Sequence, residues 1–408
     1  MHVEAVTTAL DRRLRAESRR PIAVALSGGG DSLALLLIAE AWARAAGREL
    51  LVLTVDHGVQ PQSVGWTEAC AATAARLGLA FQALHWTGAK PATGLSAAAR
   101  NARHGLLADA AREGGARVIL MGHTADDILE ARLMRTRGAT TPEPREWAPS
   151  PAWPQGRGAF LLRPLLGVRR AEVREWLTAR AETWIDDPAN ESHLSARAQA
   201  RHDIAMGAEP PEPGREVAAP ASALARACEV DLSGGLRLAR ADLRAAAPGA
   251  VARFVSAACL CAAGTDRPPT GSKVLRLAER LTSSDGFAAS LAGARIEADD
   301  GHVHVMREAG EAARGGLRLL SLLAGQTGVW DGRFEINADR PMQVCAAAGL
   351  RGQLSPVDQK TLASLPARAR DVAPLGIDEA GAVALIAVKS LALDRLLAAC
   401  GAVDREPV

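Results

Sequence analysis

Short apolar runs alternate with longer amphipathic segments over the first half of the chain. The polar, arginine-rich segment 1–20 predicts a leading amphipathic helix. Strands are predicted at 22–26, 50–55, 80–86, 117–121 and 161–166, and helices at 32–46, 67–77, 95–113, 126–137 and 170–180. Strands that alternate with helices build a parallel sheet covered on both faces, so we predict an α/β fold with a doubly wound, mostly parallel sheet.

The pattern changes twice further along the chain. Residues 139–158 contain five prolines and predict a surface loop, and residues 207–220 contain four and predict a linker. Beyond the linker, 221–285 has a helical pattern, whereas 286–408 alternates shorter strands and helices. We therefore predict a first domain at 1–206, a helical middle region at 221–285 and a small C-terminal α+β domain at 286–408.

Composition excludes several classes of protein. The 408 residues are 48% hydrophobic and carry a formal net charge of only +2, so long disordered stretches and a strongly basic nucleic-acid binder are not expected. The six cysteines show no CxxC spacing. Without a signal peptide or an apolar run that could span a bilayer, we expect a soluble cytoplasmic protein.

A glycine-rich loop follows the first predicted strand and precedes a predicted helix. It consists of Ser27, Gly28, Gly29, Gly30, Asp31 and Ser32. Glycines allow close backbone approach, and amides at a helix N-terminus bind anions, so the loop is suited to phosphate. Asp31 beside phosphate implies a cation between them, which points to Mg²⁺. The alternative is a glycine turn in which Asp31 caps the helix.

The loop carries a family resemblance. Neither GxxxxGK[ST] nor GxGxxG is present. Instead, SGGxDS after an apolar strand resembles the signature of the PP-loop (N-type) ATP pyrophosphatases, which split ATP into AMP and pyrophosphate. The resemblance therefore implies that ATP is a substrate and that Ser27 to Ser32 bind it.

Four further segments narrow the resemblance. They are Val55-Asp-His-Gly58, Ala97-Ala-Ala-Arg-Asn-Ala-Arg-His104, Gly122-His-Thr-Ala-Asp-Asp-Ile-Leu-Glu130, and Arg163-Pro-Leu-Leu166 followed by Trp184-Ile-Asp-Asp-Pro-Ala-Asn190. Their order and spacing over about residues 20–200 resemble tRNA(Ile)-lysidine synthetase. That family adenylates C2–O of the first anticodon cytidine of a CAU-anticodon isoleucine tRNA with ATP, and L-lysine then displaces AMP. The resemblance also implies that 221–285 binds tRNA, and it leaves a homodimer open.

The resemblance assigns roles to individual residues. The catalytic set is Asp31, Arg103, His123 and Asp127, and the lysine-binding set is His123, Asp127 and Glu130. The nucleotide pocket adds Asp56 and His57, and the implied Mg²⁺ ligands are Asp31 and Glu130. From spacing alone, His123, Asp127 and Glu130 share one helix face. Acids in a first helical turn are also favoured by the helix dipole, which is the interpretation we give to Asp126.

Other positions keep two interpretations. Arg100 is either a solvated helix residue or a partner of Arg103, and His57 either contacts the nucleotide or is an ordinary turn residue. Arg163, Asp187 and Asn190 either frame the tRNA side or make turn and capping contacts.

The sequence also departs from the family pattern. Ile128 and Ala131 replace a usual polar pair, 139–158 lacks a common Gly-Leu-x-Gly-Met stretch, and 195–201 is thinner in Asn and Arg than usual. These departures weaken the expectation of standard tRNA contacts. The rival functions are another PP-loop tRNA modification such as cytidine thiolation, which typically needs a CxxC pair, and a catalytically silent RNA-binding protein on the same scaffold.

Overall fold

The predicted alternation of strands and helices is present in the structure, a computed structural model that describes residues 1–139, 142–186, 196–211, 221–283, 285–311 and 317–408. The chain forms two compact units. The first comprises Met1–Arg215 with Val403–Val408, and the second comprises Glu216–Ala402. No helix within the described ranges is long and apolar enough to cross a membrane.

The first unit is built on a six-stranded sheet. Its strands are β1 (Ile22–Ala25), β2 (Leu50–Asp56), β3 (Ala80–His85), β4 (Val118–Leu120), β5 (Trp147–Pro149) and β6 (Phe160–Leu162). Its helices are α1 (Val3–Arg13), α2 (Gly30–Ala46), α3 (Ser63–Arg76), α4 (Leu95–Glu113), α5 (Ala125–Thr136), α6 (Arg170–Thr178) and α7 (Ala196–Ala205). The strand order is β3-β2-β1-β4-β6-β5, and every pairing is parallel except β5 with β6. The predicted fold class is confirmed.

Alternate residues of the central strand pack on opposite faces of the sheet. Ile22 and Val24 are fully buried in a core with residues of α1, α2 and α6, whereas Ala23 belongs to a second core with residues of α4. A strand buried on both faces forms an almost continuous apolar run, as this one does. The carboxyl ends of β1, β2 and β4 therefore meet at one edge of a rigid sheet, between its two layers of helices.

Part of the predicted loop at 139–158 is a short edge strand. Within it, β5 pairs antiparallel with β6, and the ring of Trp147 stacks on Phe160 with centroids 4.8 Å apart. Proline lacks an N–H for the ladder, so Pro149 is tolerated because β5 lies at the sheet edge. The proline content predicted irregular structure and gave no indication that β5 pairs with β6.

The described residues of the second unit form three antiparallel sheets. Its strands are β7 (Glu229–Val230), β8 (Leu236–Ala239), β9 (Phe287–Leu291), β10 (Ala294–Ala298), β11 (His302–Arg307), β12 (Leu320–Leu322), β13 (Thr327–Trp330), β14 (Phe334–Asn337), β15 (Met342–Ala346), β16 (Pro374–Ile377), β17 (Val383–Leu385) and β18 (Lys389–Ser390). Its helices are α8 (Ser222–Arg226), α9 (Arg240–Ala245), α10 (Pro248–Ala262), α11 (Gly271–Ser283), α12 (Pro356–Ala363) and α13 (Ala392–Ala399). The sheet orders are β7-β8-β11-β10-β9, β12-β15-β16-β17 and β13-β14-β18.

The sequence led us to expect a helical middle region at 221–285, but the structure also contains strands there. Two of its segments, β7 and β8, are strands, and β8 pairs with β11, so one sheet joins residues on both sides of the predicted boundary at 285. Burial alternates along Leu236–Ala239 with the period of two that a half-buried strand requires. Most of the predicted linker, 212–220, lies outside the described residues.

The last residues of the chain return to the first unit. The Glu406 carboxylate pairs with Arg48 at 2.8 Å, and both side chains are only 1% exposed. Glu406 also accepts hydrogen bonds from the Ser18 hydroxyl and the Arg15 amide, at 2.9 and 3.0 Å. A buried ion pair needs such additional hydrogen bonds to offset its desolvation. The C-terminal segment is therefore an integral part of the first unit.

Candidate active site

The glycine loop connects β1 to α2, as the sequence predicts. Gly28 has a φ of +83°, and a Cβ there would lie 2.5 Å from Cδ1 of Ile185. The Ile185 amide donates a hydrogen bond to the Gly28 carbonyl at 3.0 Å. Position 28 requires glycine for its backbone conformation and for this close packing.

Two hydroxyl groups close the loop on itself. The Oγ atoms of Ser27 and Ser32 are 3.1 Å apart, and the Ser27 amide donates to Ser32 Oγ at 3.2 Å. Ser32 Oγ donates in turn to the Gly29 carbonyl at 2.9 Å. The loop thus holds a fixed shape at the N-terminus of a 17-residue helix, where backbone amides favour a bound anion.

The segment after β4 lies directly against this loop. A Cβ at Gly122 would be 2.9 Å from both the Cα and the amide nitrogen of Ser32. Only a glycine allows two backbones to approach this closely. His123 and α5 are therefore placed beside the glycine loop by backbone packing.

A cavity of about 770 Å³ opens at this edge of the sheet. Most of the predicted site residues line it. They are Ser27, Gly29, Gly30, Asp31, Ser32, Asp56, His57, Arg103, His123 and Asp127. Gly28 and Glu130 lie behind this lining. The predicted motifs, which are scattered over about a hundred residues of sequence, converge as expected for strand ends of a parallel sheet.

One arginine bridges the acids of the loop and of α5. Arg170 donates from Nε to Asp31 at 3.0 Å, from Nη1 to Glu130 at 2.9 Å and from Nη2 to Asp127 at 3.4 Å. These three carboxylates come from α2 and α5, whereas Arg170 begins α6. A guanidinium fork can serve several carboxylates at once, which an ammonium group does less well.

Glu130 is covered by arginines from a second helix. Its side chain is 1% exposed, and Arg201 of α7 donates to it at 2.9 Å. Arg197 lies 3.5 Å from Glu130 and 3.8 Å from Asp127. The acids Asp31, Asp127 and Glu130 are thus balanced by Arg170, Arg197 and Arg201. This charge balance satisfies the rule that buried charges are paired.

The two aspartates at the start of α5 have different partners. Asp127 accepts from the amide of Thr124 at 2.8 Å, which caps the helix, and it also faces the cavity. Asp126 accepts from the Arg170 amide at 2.7 Å and from Arg169 at 2.9 Å. Asp126 therefore joins α5 to α6, in keeping with the structural role expected of it.

His123 is neutral in its surroundings. Burial lowers the pKa of His123 well below its ordinary value, and the nearby charges of Arg163 and Arg103 lower the pKa further. Arg163 Nε donates to His123 Nδ1 at 3.2 Å, so the ring proton is placed on Nε2. Arg163 also donates to the Arg145 carbonyl at 2.8 Å, which shows a buried supporting role for this residue.

Arg103 brings an unpaired donor to the cavity. Among the described residues its buried Nε has no hydrogen-bond partner. Burial, followed by the charges of Arg100 and Arg197, lowers the pKa of Arg103 to about 10, so the side chain stays charged at neutral pH. Arg100 does not belong to the cavity lining. The structure therefore separates two arginines that the sequence left side by side.

Asp56 and His57 lie at the end of β2. Asp56 accepts from the Gly58 amide at 2.8 Å, a turn contact, and its carboxylate is 3.6 Å from Nδ1 of His85. The buried Nδ1 of His57 has no partner among the described residues, and its ring lies edge-on to Trp86. Burial, then the charge of Arg103, lowers the pKa of His57. A neutral donor or acceptor is thus available to a ligand.

Sequence reasoning missed four arginines of the site. Arg170, Arg174, Arg197 and Arg201 all line the cavity. One signal was present for Arg170: a cation in the first turn of a helix opposes the helix dipole, and such a position needs nearby acids. Asp187 and Asn190 lie outside the described residues. Within the described part of the chain, no three His, Cys, Asp or Glu side chains are arranged to hold a metal ion.

Comparison with known proteins gives consistent matches. Residues 3–207 match the PP-loop domain family. The chain is 48% identical to the tRNA(Ile)-lysidine synthase of Caulobacter vibrioides over the full length of both proteins. It is 34% identical to the proteins of that name from Hyphomonas neptunium, over 81% of this chain and 90% of the relative, and from Rhizobium meliloti, over 87% and 82%.

Proposed function

Because the chain belongs to the tRNA(Ile)-lysidine synthase family of PP-loop proteins, we propose that it uses ATP to join L-lysine to an isoleucine tRNA with a CAU anticodon. One observation carries the proposal: a phosphate-suited glycine loop and the acid-rich start of α5 line the same cavity. A nucleobase activated at the glycine loop can therefore meet an amine bound at the start of α5.

In this proposal ATP lies on the glycine loop. Ser27 to Ser32 and the N-terminus of α2 take its phosphates, and Asp56 and His57 lie near its nucleoside part. The unpaired Nε of Arg103 supports a role in stabilising phosphate charge that develops in the reaction. This role requires a charged Arg103, which a pKa of about 10 preserves at neutral pH.

In this proposal the magnesium site contains one carboxylate of the protein. Asp31 lines the cavity beside the loop and is 22% exposed, which fits an Mg²⁺ ion bound by one carboxylate and substrate phosphates. Glu130 is 1% exposed and faces three arginines, which does not fit, so we leave it out of the metal site. Mg²⁺ held at Asp31 would neutralise phosphate charge.

We place lysine at the start of α5. The carboxylate of Asp127 faces the cavity and suits an ammonium group, and Arg197 and Arg201 in the cavity wall suit the α-carboxylate. Glu130, which is 1% exposed behind the lining, holds these arginines in place. The low pKa of His123 makes it a poor base, so we assign it the orientation of lysine through its Nε2 proton. An amine must lose its proton before it attacks, and desolvation in this cavity favours the neutral form.

The proposed chemistry has two steps. The C2 oxygen of the wobble cytidine attacks the α-phosphorus of ATP, and the bond to the leaving pyrophosphate breaks. The lysine ε-nitrogen then attacks C2, and the C2–O bond breaks to release AMP. C2–O is a poor leaving group until it carries the phosphoryl group, which explains why ATP is consumed.

The proposed tRNA contacts, cellular location and oligomeric state follow from membership of the family. We propose that the segments 221–285 and 286–408 grip the tRNA through phosphate contacts. A cytoplasmic location and a homodimer remain proposals. Thiolation is not favoured, because all six cysteines are buried and none of them lines the cavity.

The proposal is tested by transfer of labelled lysine to tRNA. With ATP and a CAU-anticodon isoleucine tRNA, we expect one label per tRNA and release of AMP and pyrophosphate. Omission of ATP should abolish transfer. ATP breakdown to ADP, or absence of label on the correct tRNA, would contradict the proposal.

A further inference from the structure

Arg170 occupies a place in the cavity wall that the reaction described above does not use. It is the first residue of α6, and its three guanidinium nitrogens each contact a different carboxylate, those of Asp31, Asp127 and Glu130. Asp31 belongs to the glycine loop, and the other two carboxylates belong to α5. One side chain therefore joins the two halves of the cavity.

The position of Arg170 is unfavourable for α6 itself. A cation at the start of a helix opposes the helix dipole, and acids are preferred there. The backbone amide of Arg170 already has a partner, Asp126, which links α5 to α6 without any help from the guanidinium. The local structure of α6 therefore does not explain why an arginine is present.

The carboxylates do explain it. The Asp31 carboxylate is only 22% exposed, and Arg170 Nε supplies a counter-charge at 3.0 Å. Arg174 of α6 and Asp127 of α5 also face Asp31, so two cations and one acid surround it. Without Arg170, three carboxylates would share a partly buried space with fewer counter-charges, and their mutual repulsion would move them apart.

We propose that Arg170 is a positioning residue that couples the nucleotide half of the site to the lysine half. It holds Asp31 and the pair Asp127 and Glu130 at a fixed separation, so that the loop and α5 keep one geometry. This inference rests on the proposed function, which assigns Asp31 to ATP and Asp127 to lysine. It predicts that one substitution impairs two binding sites.

The test compares R170Q and R170K with a matched control, R169Q. Arg169 is adjacent and pairs with Asp126, but it is 54% exposed and does not line the cavity. The dissociation constant of a non-hydrolysable ATP analogue is measured by calorimetry, and the lysine KM is measured in the tRNA-labelling assay. Both Arg170 variants should raise the dissociation constant and the KM about tenfold or more. In R170K the new side chain keeps the positive charge but lacks the forked guanidinium that reaches several carboxylates.

Two reference variants separate this inference from the proposed function. D31N should weaken binding of the ATP analogue more than it raises the lysine KM, and D127N should do the reverse. If neither does so, the assignment of the two halves fails, and the proposed function fails with it. If both do so, yet R170Q and R170K change only one constant or neither, the inference about Arg170 is overturned.

Urea unfolding measured without substrate tests whether Arg170 links the two groups of carboxylates in the folded protein itself. Unfolding by urea is measured for D31N, E130Q and the double variant, with Arg170 present and again with R170Q. Coupling between Asp31 and Glu130 should appear with Arg170 and fall without it, because its guanidinium contacts both carboxylates. Equal coupling in both backgrounds would contradict the inference. If R170Q does not fold, the same cycle in R170K decides, with a reduced coupling expected.

Discussion

Burial decides the charge of several side chains around the cavity. His123 and His104 lie near Arg100 and Arg103 of α4 and near Arg163, which follows β6, so a protonated imidazole would be both desolvated and repelled. Both rings are therefore neutral, and neither suits the role of a general base at neutral pH. The cavity instead presents fixed cations, and the Nε of one of them, Arg103, has no hydrogen-bond partner in the described part of the chain.

His104 gives this electrostatic argument a measurable consequence. Burial, followed by the charges of Arg103, Arg100 and Arg163, lowers the pKa of His104 to about 2. Below the ordinary pKa of about 6.5 the unfolded chain binds a proton that the folded chain does not, so stability falls as pH falls. The loss approaches about 1.4 kcal/mol per pH unit.

We predict that H104F removes this loss. Neither ring nitrogen of His104 has a hydrogen-bond partner among the described residues, so phenylalanine leaves no group unsatisfied. Urea unfolding from about pH 6 to about pH 5 should show a shallower decline for H104F than for the wild type. The exposed H2N variant should match the wild type, since His2 makes no capping bond. Parallel declines for H104F and the wild type would contradict the assignment of a neutral His104.

The sequence revealed the acids of the site but not their partners. Asp31, His123 and Asp127 follow strands, and strand ends of a parallel sheet meet at one edge, so their convergence could be predicted. Arg197 and Arg201 come from α7, and the way this helix packs on α5 has no local sequence signal. Buried neutral histidines also depend on neighbours that only the tertiary structure supplies.

At the scale of elements, a backbone contact between the end of β4 and the start of α2 sets the site geometry. Gly122 makes this contact. A larger residue there would meet backbone atoms of Ser32, which cannot move aside as the end of a flexible side chain could. The glycine-rich motif could be predicted to connect a strand to a helix, and its SGGxDS pattern indicated a phosphate-binding loop. The role of Gly122 could not be predicted, because its neighbour lies about ninety residues earlier in the chain.

We predict that G122A both destabilises the protein and weakens ATP binding. The added Cβ would meet Ser32 backbone atoms at 2.9 Å, and the overpacking should cost about 1–3 kcal/mol. The control is G105A, on α4, where a Cβ meets nothing within 4 Å. G105A should stabilise the helix by about 0.5–1 kcal/mol. Urea unfolding and analogue binding measure both effects, and equal behaviour of the two variants would contradict the packing argument.

Short strands mark the limit of prediction for elements. The edge strand β5 lies in a proline-rich stretch, and β7 and β8 lie between helices, so tertiary pairing overrides weak local preference. Long amphipathic helices such as α4 were placed with the correct bounds, because periodicity over many residues gives a strong signal.

At the scale of the whole molecule, the chain leaves the first unit and returns to it. The segment Val403–Val408 packs into that unit, and Glu406 fills a site made by Arg48, Ser18 and the Arg15 amide. A tail at the end of a chain usually frays, but this one places a carboxylate beside a buried guanidinium. Composition and motifs gave no indication of this contact.

We predict that E406A destabilises the first unit by about 3 kcal/mol or more, because a buried Arg48 loses its counter-charge. D404A is the control, since the Asp404 side chain is exposed and only its carbonyl accepts a bond, from Arg13. Thermal unfolding should show a clear loss for E406A and almost none for D404A. A stable E406A protein would show that the tail does not contribute to the fold of this unit.

The central claim is that one cavity activates a cytidine with ATP and delivers it to lysine. Its most direct test measures transfer of labelled lysine to two isoleucine tRNAs that differ only in the first anticodon base, cytidine or uridine. The account predicts label on the cytidine tRNA alone, with one AMP released per lysine joined. Equal labelling of both tRNAs, or AMP release without lysine transfer, would contradict it.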